Sequence, residues 1–525
     1  MVRVVLTADQ TLMSEYRHIP LLPFFSCAPV ERVPEPLFNF LAPYVPDENG
    51  IAKYAPYGLR KVEAALLKYY KRKDVVVAHP LYVHRFINSD TKIVAINTMD
   101  PFGMGPVSMM FSYGGHLTPY TKKRFNELVN KINSIRRSKN YNFKIVVGGS
   151  GAWQFNYIDN DEWDALGIDH VIIGETEHVI GDLFKEIEEN YMPKIMNIKT
   201  WPSVEEIPVI VGASTHGLVE VMRGCGRGCS FCEPNLRYGR SMPFEKINEE
   251  IAVNVKGGQN SIWVHSEDIF LYKVEKRSTL EPNKEAIIEL FSNIMNQPGV
   301  LHSNPTHGTI APAVYDPDMI TRLSEILRAS PDNWIGIQPG LETGSIELAK
   351  KIMPFKAKPL SVDEWPEIVI EGTEIFNKNY WFPAYTLVMG LPGETEDDVW
   401  DTVYLIDRME HEIPNKIGKE KTHFTVTPLS FVPLGALKSK GFYDIDSMLT
   451  EAHVNLIYRC WRHTILEIDK TLYRFTKLNP ILKFAITTLG MSGSRAILWY
   501  IKRWAEHRGY KIKQSTITSA RVPLS

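Results

Sequence analysis

Three of the five cysteines in this 525-residue chain fall within eight positions, as Cys225, Cys229 and Cys232 in Arg223-Gly-Cys-Gly-Arg-Gly-Cys-Ser-Phe-Cys-Glu233. Thiolates so spaced are metal ligands. A structural zinc site closes four ligands around one tetrahedral ion, and no second Cys-x-x-Cys or His-x3-His pair stands nearby to complete one. Three thiolates at Cys-x3-Cys-x2-Cys spacing suit a cubane iron-sulfur cluster instead, with three irons held by protein and the fourth open to a substrate or cofactor. Gly224, Gly226 and Gly228 let the backbone wrap such a cluster and offer it amide donors. Arg223 and Arg227 offset its negative charge.

Alternating strands and helices must position that loop. Over the first two hundred residues, Val2–Leu6, Val75–Ala78, Ile93–Ile96, Ile145–Val147 and Val171–Ile173 are short apolar, β-branched runs suited to strands buried on both faces. Between them, Leu59–Tyr70, Thr121–Arg137 and Glu177–Glu188 carry apolar residues at helical spacing. The pattern predicts an open α/β sheet, whose ligands bind beyond the carboxyl ends of the strands. Two glycine-bearing loops suit that position, Asn97–Pro106 and Gly148–Trp153; neither is a G-x-G-x-x-G opening a helix after the first strand, so a nicotinamide site is poorly supported. Beyond the proline-bearing connector around Trp201-Pro202, Ile262–Val264, Trp334–Ile337, Tyr385–Met389 and Phe424–Thr427 read as parallel barrel strands. They are separated by helical stretches such as Glu285–Met295, Met319–Ala329 and Asp397–Met409. Chemistry in a β/α barrel belongs at the carboxyl ends of its strands. Polar residues stand there: Ser266-Glu267-Asp268, Glu342-Thr-Gly-Ser345 and Gly390-Leu-Pro-Gly-Glu394. The last of these also reads as a glycine turn followed by an acidic helix start.

The cysteine spacing, with Phe231 before the last cysteine, resembles the cluster loop of radical S-adenosylmethionine (SAM) enzymes. The resemblance implies a 4Fe-4S cluster whose open iron chelates SAM, and reductive cleavage of SAM to a 5'-deoxyadenosyl radical that takes hydrogen from unactivated carbon. It also implies an electron donor such as ferredoxin or flavodoxin. By the same resemblance Glu267 contacts the methionine amino group, Glu342 and Ser345 the ribose and carboxylate, and Gly390 to Glu394 the adenine.

An N-terminal α/β region ahead of such a domain is similar to the cobalamin-binding class of these enzymes. The likeness rests on Tyr57-Gly-Leu-Arg-Lys-Val-Glu-Ala-Ala-Leu-Leu67, the turn at Gly148-Gly149 and Gly174-Glu-Thr-Glu177. It implies a Rossmann-like cobalamin domain with Asp100, Gly103, Gly148, Gly149, Gly174 and Glu175 as corrin contacts. The Asp-x-His-x-x-Gly motif that supplies a cobalt-ligating histidine in many cobalamin proteins is absent, so cobalt's lower ligand stays unassigned. The expected fold class is α/β, in three parts: a cobalamin-binding-like domain over 1–195, a partial (β/α) barrel over 196–435, and a helical region over 436–525.

Leu12-Met-Ser-Glu-Tyr-Arg17, Tyr57-Gly-Leu-Arg60 and Met99-Asp-Pro-Phe-Gly-Met-Gly105 resemble the archaeal tetraether-lipid (GDGT) ring synthase group, which inserts cyclopentane rings into isoprenoid chains. The expected substrate is therefore a hydrophobic lipid and the expected reaction carbon-carbon bond formation. The alternative is a cobalamin-dependent radical SAM methyltransferase acting on unactivated carbon. A third class, a noncatalytic cobalamin carrier, has no use for an oxygen-sensitive cluster.

Composition fits these expectations. A formal net charge of -2 with 23% charged residues lacks the basic excess of a general nucleic-acid binder. Few cysteines, a cluster loop and a first segment without secretory features point to a reducing cytoplasm. Cys27 and Cys460 read as buried apolar residues rather than ligands. An aromatic, proline-rich excursion, Ile19–Phe25 and Pro36–Leu41, lacks a helix period and is expected to line an apolar cavity. Leu456–Ile468 is amphipathic, whereas Ile481–Trp504 is apolar but interrupted by charges and falls short of the about 18 uncharged residues of a spanning helix. Trp499, Tyr500 and Trp504 with neighbouring cations suit either a core-closing cap or peripheral contact with a membrane.

Overall fold

In a computed structural model the chain is described over residues 2–19, 22–189, 192–475 and 496–515. It divides into two compact units that interleave along the sequence. The first comprises Met1–Glu220, Met242–Trp263 and Asn296–His302; the second comprises Val221–Ser241, Val264–Met295 and Ser303–Ser525.

A six-stranded parallel sheet organises the first unit: β1 Val4–Ala8, β2 Val75–Val77, β3 Ile93–Asn97, β4 Lys144–Gly148, β5 His170–Ile173 and β6 Ile195–Asn197, in spatial order β2-β1-β3-β4-β5-β6. That order is the flavodoxin-like variant of the doubly wound sheet, and it reverses between β1 and β3, where such sheets bind ligands. Both faces are buried. On one side Val4, Leu6 and Ala8 pack with Leu59 and Phe184; on the other Val5 packs with Phe125, Val129 and Trp163. Alternate residues of β1 thus face helices on opposite sides, which is why the strand reads as an uninterrupted apolar run. The covering helices are Tyr57–Leu66, Tyr120–Ser138 and Ile180–Glu189, close to the expected spans.

The aromatic excursion differs from its expectation. Glu35–Leu41 is a short helix, and its Phe38 stacks on Tyr120 at 3.8 Å to close a satellite core with Tyr16 and Ala42. Aromatic area buried against a neighbouring helix replaces the expected cavity lining there. Pro20 and Leu21 lie outside the described residues.

In the second unit the long strand Trp381–Met389 is central. It pairs in parallel with Ile335–Ile337, with Gly340–Glu342 across a bulge, and with Thr425–Ser430 on its other edge. Helices Trp365–Lys378 and Glu396–Ile417 flank the long strand in sequence. The latter begins with a capping box in which the Thr395 hydroxyl accepts from the Asp398 N–H and the Asp398 carboxylate accepts from the Thr395 N–H. Helix Glu451–Phe475 includes the amphipathic Leu456–Ile468 stretch and packs against Thr425–Ser430 and Glu396–Ile417. Its His463 stacks on Phe424 at 3.9 Å. Of the apolar stretch Ile481–Trp504, residues 481–495 lie outside the described residues; the helix from 496 to 507 leaves Trp499 and Tyr500 exposed.

Candidate functional site

The cysteine loop lies between two short antiparallel strands, Met222–Arg223 and Arg240–Ser241. Gly224, Gly226 and Gly228 all have left-handed φ, of 78°, 80° and 75°. A Cβ on Gly224 would meet the Tyr238 carbonyl at 2.4 Å, so glycine is required there. The three thiols are free and sequestered, and burial pushes Cys225 and Cys229 up to about 12 and Cys232 to about 11. Arg227 acts against that shift on Cys225, and Lys356 on Cys229 and Cys232.

Two buried cations meet the loop. Arg227 forms an ion pair with Asp268 (Nε–Oδ2 2.5 Å) and donates to the Lys358 carbonyl at 2.8 Å, while its Nη2 is buried with no partner among the described residues. Lys356 lies 3.3 Å from a Glu342 oxygen. Burial alone draws the Lys356 ammonium down, but Glu342 and the three cysteines overcome it and hold the lysine charged. Glu342 itself ends its strand at a left-handed φ of 61°, a strained conformation for a residue with a Cβ.

These residues fit a multi-iron cluster better than a single ion. Tetrahedral zinc draws sulfurs to about 2.3 Å from itself and so to within about 4 Å of each other. Among the described residues the group of three His, Cys, Asp or Glu ligand atoms gathered within 4.8 Å of one another is Glu15, His18 and His216, and the cysteines form no such group. Wider sulfurs beside an orphaned guanidinium nitrogen and a buried ammonium match a large, negatively charged cluster, which would be held by Cys225, Cys229 and Cys232.

The expected SAM contacts separate into two groups. Glu267 stands at the loop: its Oε2 accepts from the Gly224 N–H at 3.0 Å, one residue before the first cysteine. Glu342 stands beside Lys356 near the cysteines. The Ser345 hydroxyl caps helix Ile346–Ile352 through the Leu348 N–H and donates to Asp398 at 2.5 Å. Gly390 and Glu394 close their own turn, with the Gly390 N–H on Glu394 Oε2 at 2.7 Å and the same oxygen on His453 at 3.1 Å. A side chain at Gly390 would run into Tyr443, with 2.0 Å to the nearest atom. The segment expected along adenine thus closes its own turn.

Several polar residues at strand ends carry no legible sequence signal. His265 ends strand Ser261–His265, and Thr306-His307 follows strand His302–Pro305. The Thr306 hydroxyl bridges them, 3.4 Å from His265 Nδ1 and 3.0 Å from His307 Nδ1. Burial lowers His307 to about 4, and His265 and Lys356 add to the effect, so His307 is neutral. The Ser266 hydroxyl is buried without a partner among the described residues. A strand reading His-Ser-Asn-Pro has no apolar run to announce it, and nothing in a sequence marks a lysine such as Lys356 as buried.

At the carboxyl edge of the flavodoxin-like sheet, the loops after β3, β4 and β5 carry the expected corrin contacts. Asp100 is buried, and its carboxylate accepts from the Gly105 N–H at 2.8 Å, Gln154 Nε2 at 2.6 Å, Thr121 Oγ1 at 3.0 Å and the Ser108 hydroxyl. Those internal donors make Asp100 a loop anchor, with its acceptor capacity spent. Gly103 packs on Pro119, 2.4 Å from where its Cβ would be. Gly148 ends β4. Gly149, at φ 107°, would set a Cβ 2.5 Å from the Thr98 carbonyl, and Gly174, at φ 121°, one 2.4 Å from the Ile198 carbonyl. Tight backbone approach is what these glycines provide. Gly174 is exposed and Glu175 half-buried. Thr98, directly after β3, has a buried hydroxyl with no partner among the described residues, at the edge where the strand order reverses, a donor suited to a ligand of that crevice.

Residues 219–406 match the family model of the radical SAM superfamily, a span that includes the cysteine loop, Glu267, Glu342 and Lys356. That span is a radical SAM domain. The matched domain is similar to that of a tRNA-2-methylthio-N(6)-dimethylallyladenosine synthase of Chromohalobacter salexigens, 22% identical over 55% of this chain and 62% of the relative. An uncharacterised protein of Methanocaldococcus jannaschii, MJ1620, is 24% identical over 69% of this chain and 76% of its own. The chain thus spans about three-fifths of the length of the methylthio synthase. Among solved structures, the radical SAM methyltransferase TsrM from Kitasatospora setae, with tryptophan substrate and a SAM analogue bound, shares the fold at a TM-score of 0.52 and 13% identity, covering 83% of this chain and 75% of that one. The superfamily implies a 4Fe-4S cluster and SAM for this radical SAM domain.

Proposed function

We propose that this chain is a cobalamin-dependent radical SAM enzyme that forms a carbon-carbon bond at an unactivated carbon, by methyl transfer. The observation that carries the reading is the pairing of a partly buried three-cysteine loop, matched by the cations of Arg227 and Lys356, with a flavodoxin-like sheet in the same chain. Likeness in fold to a radical SAM methyltransferase, and in sequence to a methylthio synthase, favours transfer of a one-carbon or sulfur-bearing group.

When bound, the cluster supplies a one-electron reductant for SAM, and cobalamin supplies a methyl group. The protein's own residues prepare the site. Cys225, Cys229 and Cys232 give up their protons on cluster loading, and Arg227 and Lys356 balance the charge that results. Glu267 fixes the start of the loop through Gly224. A saturated carbon has no acidic proton, so acid-base groups have no handle on it; neutral His307, its partner His265 and the Ser266 hydroxyl remain to orient polar atoms at the strand ends. Thr98, Gly174 and Glu175 stand at the sheet edge where a corrin would bind. An electron donor such as ferredoxin or flavodoxin would complete the system.

Ring closure in an isoprenoid membrane lipid is the second reading. It is favoured by the tracts Leu12–Arg17 and Met99–Gly105 and by the exposed Trp499 and Tyr500, which suit peripheral contact with a membrane. No described helix is long and apolar enough to cross one. Mass spectrometry of lipids and small molecules from cells with and without the gene separates the readings: methyl transfer makes a product heavier by a methylene, whereas ring closure makes one lighter by two hydrogens. A lighter product overturns methyl transfer; the absence of any gene-dependent carbon-carbon bond overturns both.

A further inference from the structure

Glu15, His18 and His216 place one carboxylate oxygen and two imidazole nitrogens within 4.8 Å of one another, apart from the cysteine loop. Glu15 and His18 lie on the segment after β1, and His216 on the turn Thr215–Gly217 that leads into strand Leu218–Glu220. His18 Nε2 is 3.6 Å from Glu15 Oε2, too long for a hydrogen bond. Ligands of a tetrahedral zinc ion at about 2.0–2.2 Å stand roughly 3.3 Å apart, so small side-chain movements close the set.

The other oxygen of Glu15 is already fixed. Oε1 accepts from the His216 N–H at 2.9 Å and from Gln259 Nε2, which turns Oε2 toward His18. Such outer hydrogen bonds orient metal-binding carboxylates. The two imidazoles meet edge to face, with centroids 6.3 Å apart and planes at 87°, rather than stacking. Both histidine-bearing turns are held in left-handed conformation, with φ of 46°, 55° and 56° at Tyr16, Arg17 and His18, and 60° at His216. Strain at four non-glycine residues that bring three ligand types together is the kind found at binding sites.

We propose that Glu15, His18 and His216 bind a zinc ion through two imidazole nitrogens and one carboxylate oxygen, with water in the fourth position. The ion clasps the segment after β1 to the Thr215–Gly217 turn. His18 is 66% exposed, which leaves an entry path from solvent.

The test uses cluster-loaded, chelator-washed full-length protein given one equivalent of zinc, read by metal analysis and zinc K-edge absorption. The expected result is one zinc per chain with nitrogen and oxygen neighbours at about 2.0–2.2 Å and no sulfur at about 2.3 Å. His18→Ala should weaken zinc binding at least about tenfold, and Gln259→Leu, which removes the bond that positions Glu15 along with a long bond to the Ser214 carbonyl, by about 10–100-fold. His18 is exposed, so His18→Ala keeps the test open should His216→Ala fail to fold. Sulfur scattering, no zinc, or affinity unchanged in His18→Ala would each overturn the proposal.

Discussion

The Lys356 ammonium lies 3.3 Å from the Glu342 carboxylate, and both are buried beside the cysteines that match the radical SAM pattern. Either charge alone would be costly there. Each is tolerated because the other is present, and the lysine additionally faces thiols that become thiolates when metal enters.

Removal of one partner should therefore cost more than removal of both. Lys356→Met is expected to destabilise the protein by about 3–5 kcal/mol, and the double variant Lys356→Met/Glu342→Gln to recover most of it. Urea denaturation of the metal-free proteins checks this, and equal losses in single and double variants would refute the coupling.

The thiols make the metal-free protein sensitive to alkali. Their folded values, about 12 for Cys225 and Cys229 and about 11 for Cys232, exceed the unfolded value of about 8.5. Above pH 8.5 the unfolded chain therefore binds fewer protons than the native one, and stability falls as pH rises toward the folded values, by up to about 1.4 kcal/mol per thiol per pH unit. Thermal melts from pH 8 to 10 should show the decline. It should be smaller in Cys225→Ala/Cys229→Ala/Cys232→Ala.

His307 acts at the other end of the scale. Its value of about 4 lies below the unfolded value of about 6.5, so its contribution is complete above pH 6.5 and is lost as pH falls toward 4, roughly 3 kcal/mol in all. His307→Gln should flatten the stability profile across that window. A slope unchanged by the substitution would assign the acid sensitivity elsewhere.

At the sheet edge, Gly149→Ala forces a Cβ to 2.5 Å from the Thr98 carbonyl at a left-handed φ. A loss of about 1–3 kcal/mol is expected, with weakened cobalamin binding in absorbance titrations. Thr98→Val, which removes only the orphaned hydroxyl, should weaken cobalamin binding without a comparable loss of stability.

Strands flanked by apolar helices were legible because their residues alternate between two buried faces, as Val4, Val5 and Leu6 do. The cysteine loop was legible because its chemistry fixes its spacing. Ile195–Asn197 and His302–Pro305 were not, since Ile-Met-Asn and His-Ser-Asn-Pro hold no run of apolar, β-branched residues. The polar residues at strand ends show the same divide. Sequence places Ser345 and Glu394 where a cofactor contact belongs, but only the fold reveals that a helix cap and a turn already employ them. Lys356 came from no motif, because a buried charge is defined by what surrounds it. Interleaving of the two units along the chain, with 242–263 and 296–302 returning to the first, likewise leaves no mark in composition.

Electron paramagnetic resonance of the anaerobically reconstituted, reduced protein with and without SAM tests the central claim most directly. The account predicts a reduced four-iron signal that depends on Cys225, Cys229 and Cys232 and changes shape when SAM is added, as an open iron requires. A cluster signal that persists in the triple alanine variant, or one indifferent to SAM, would contradict it.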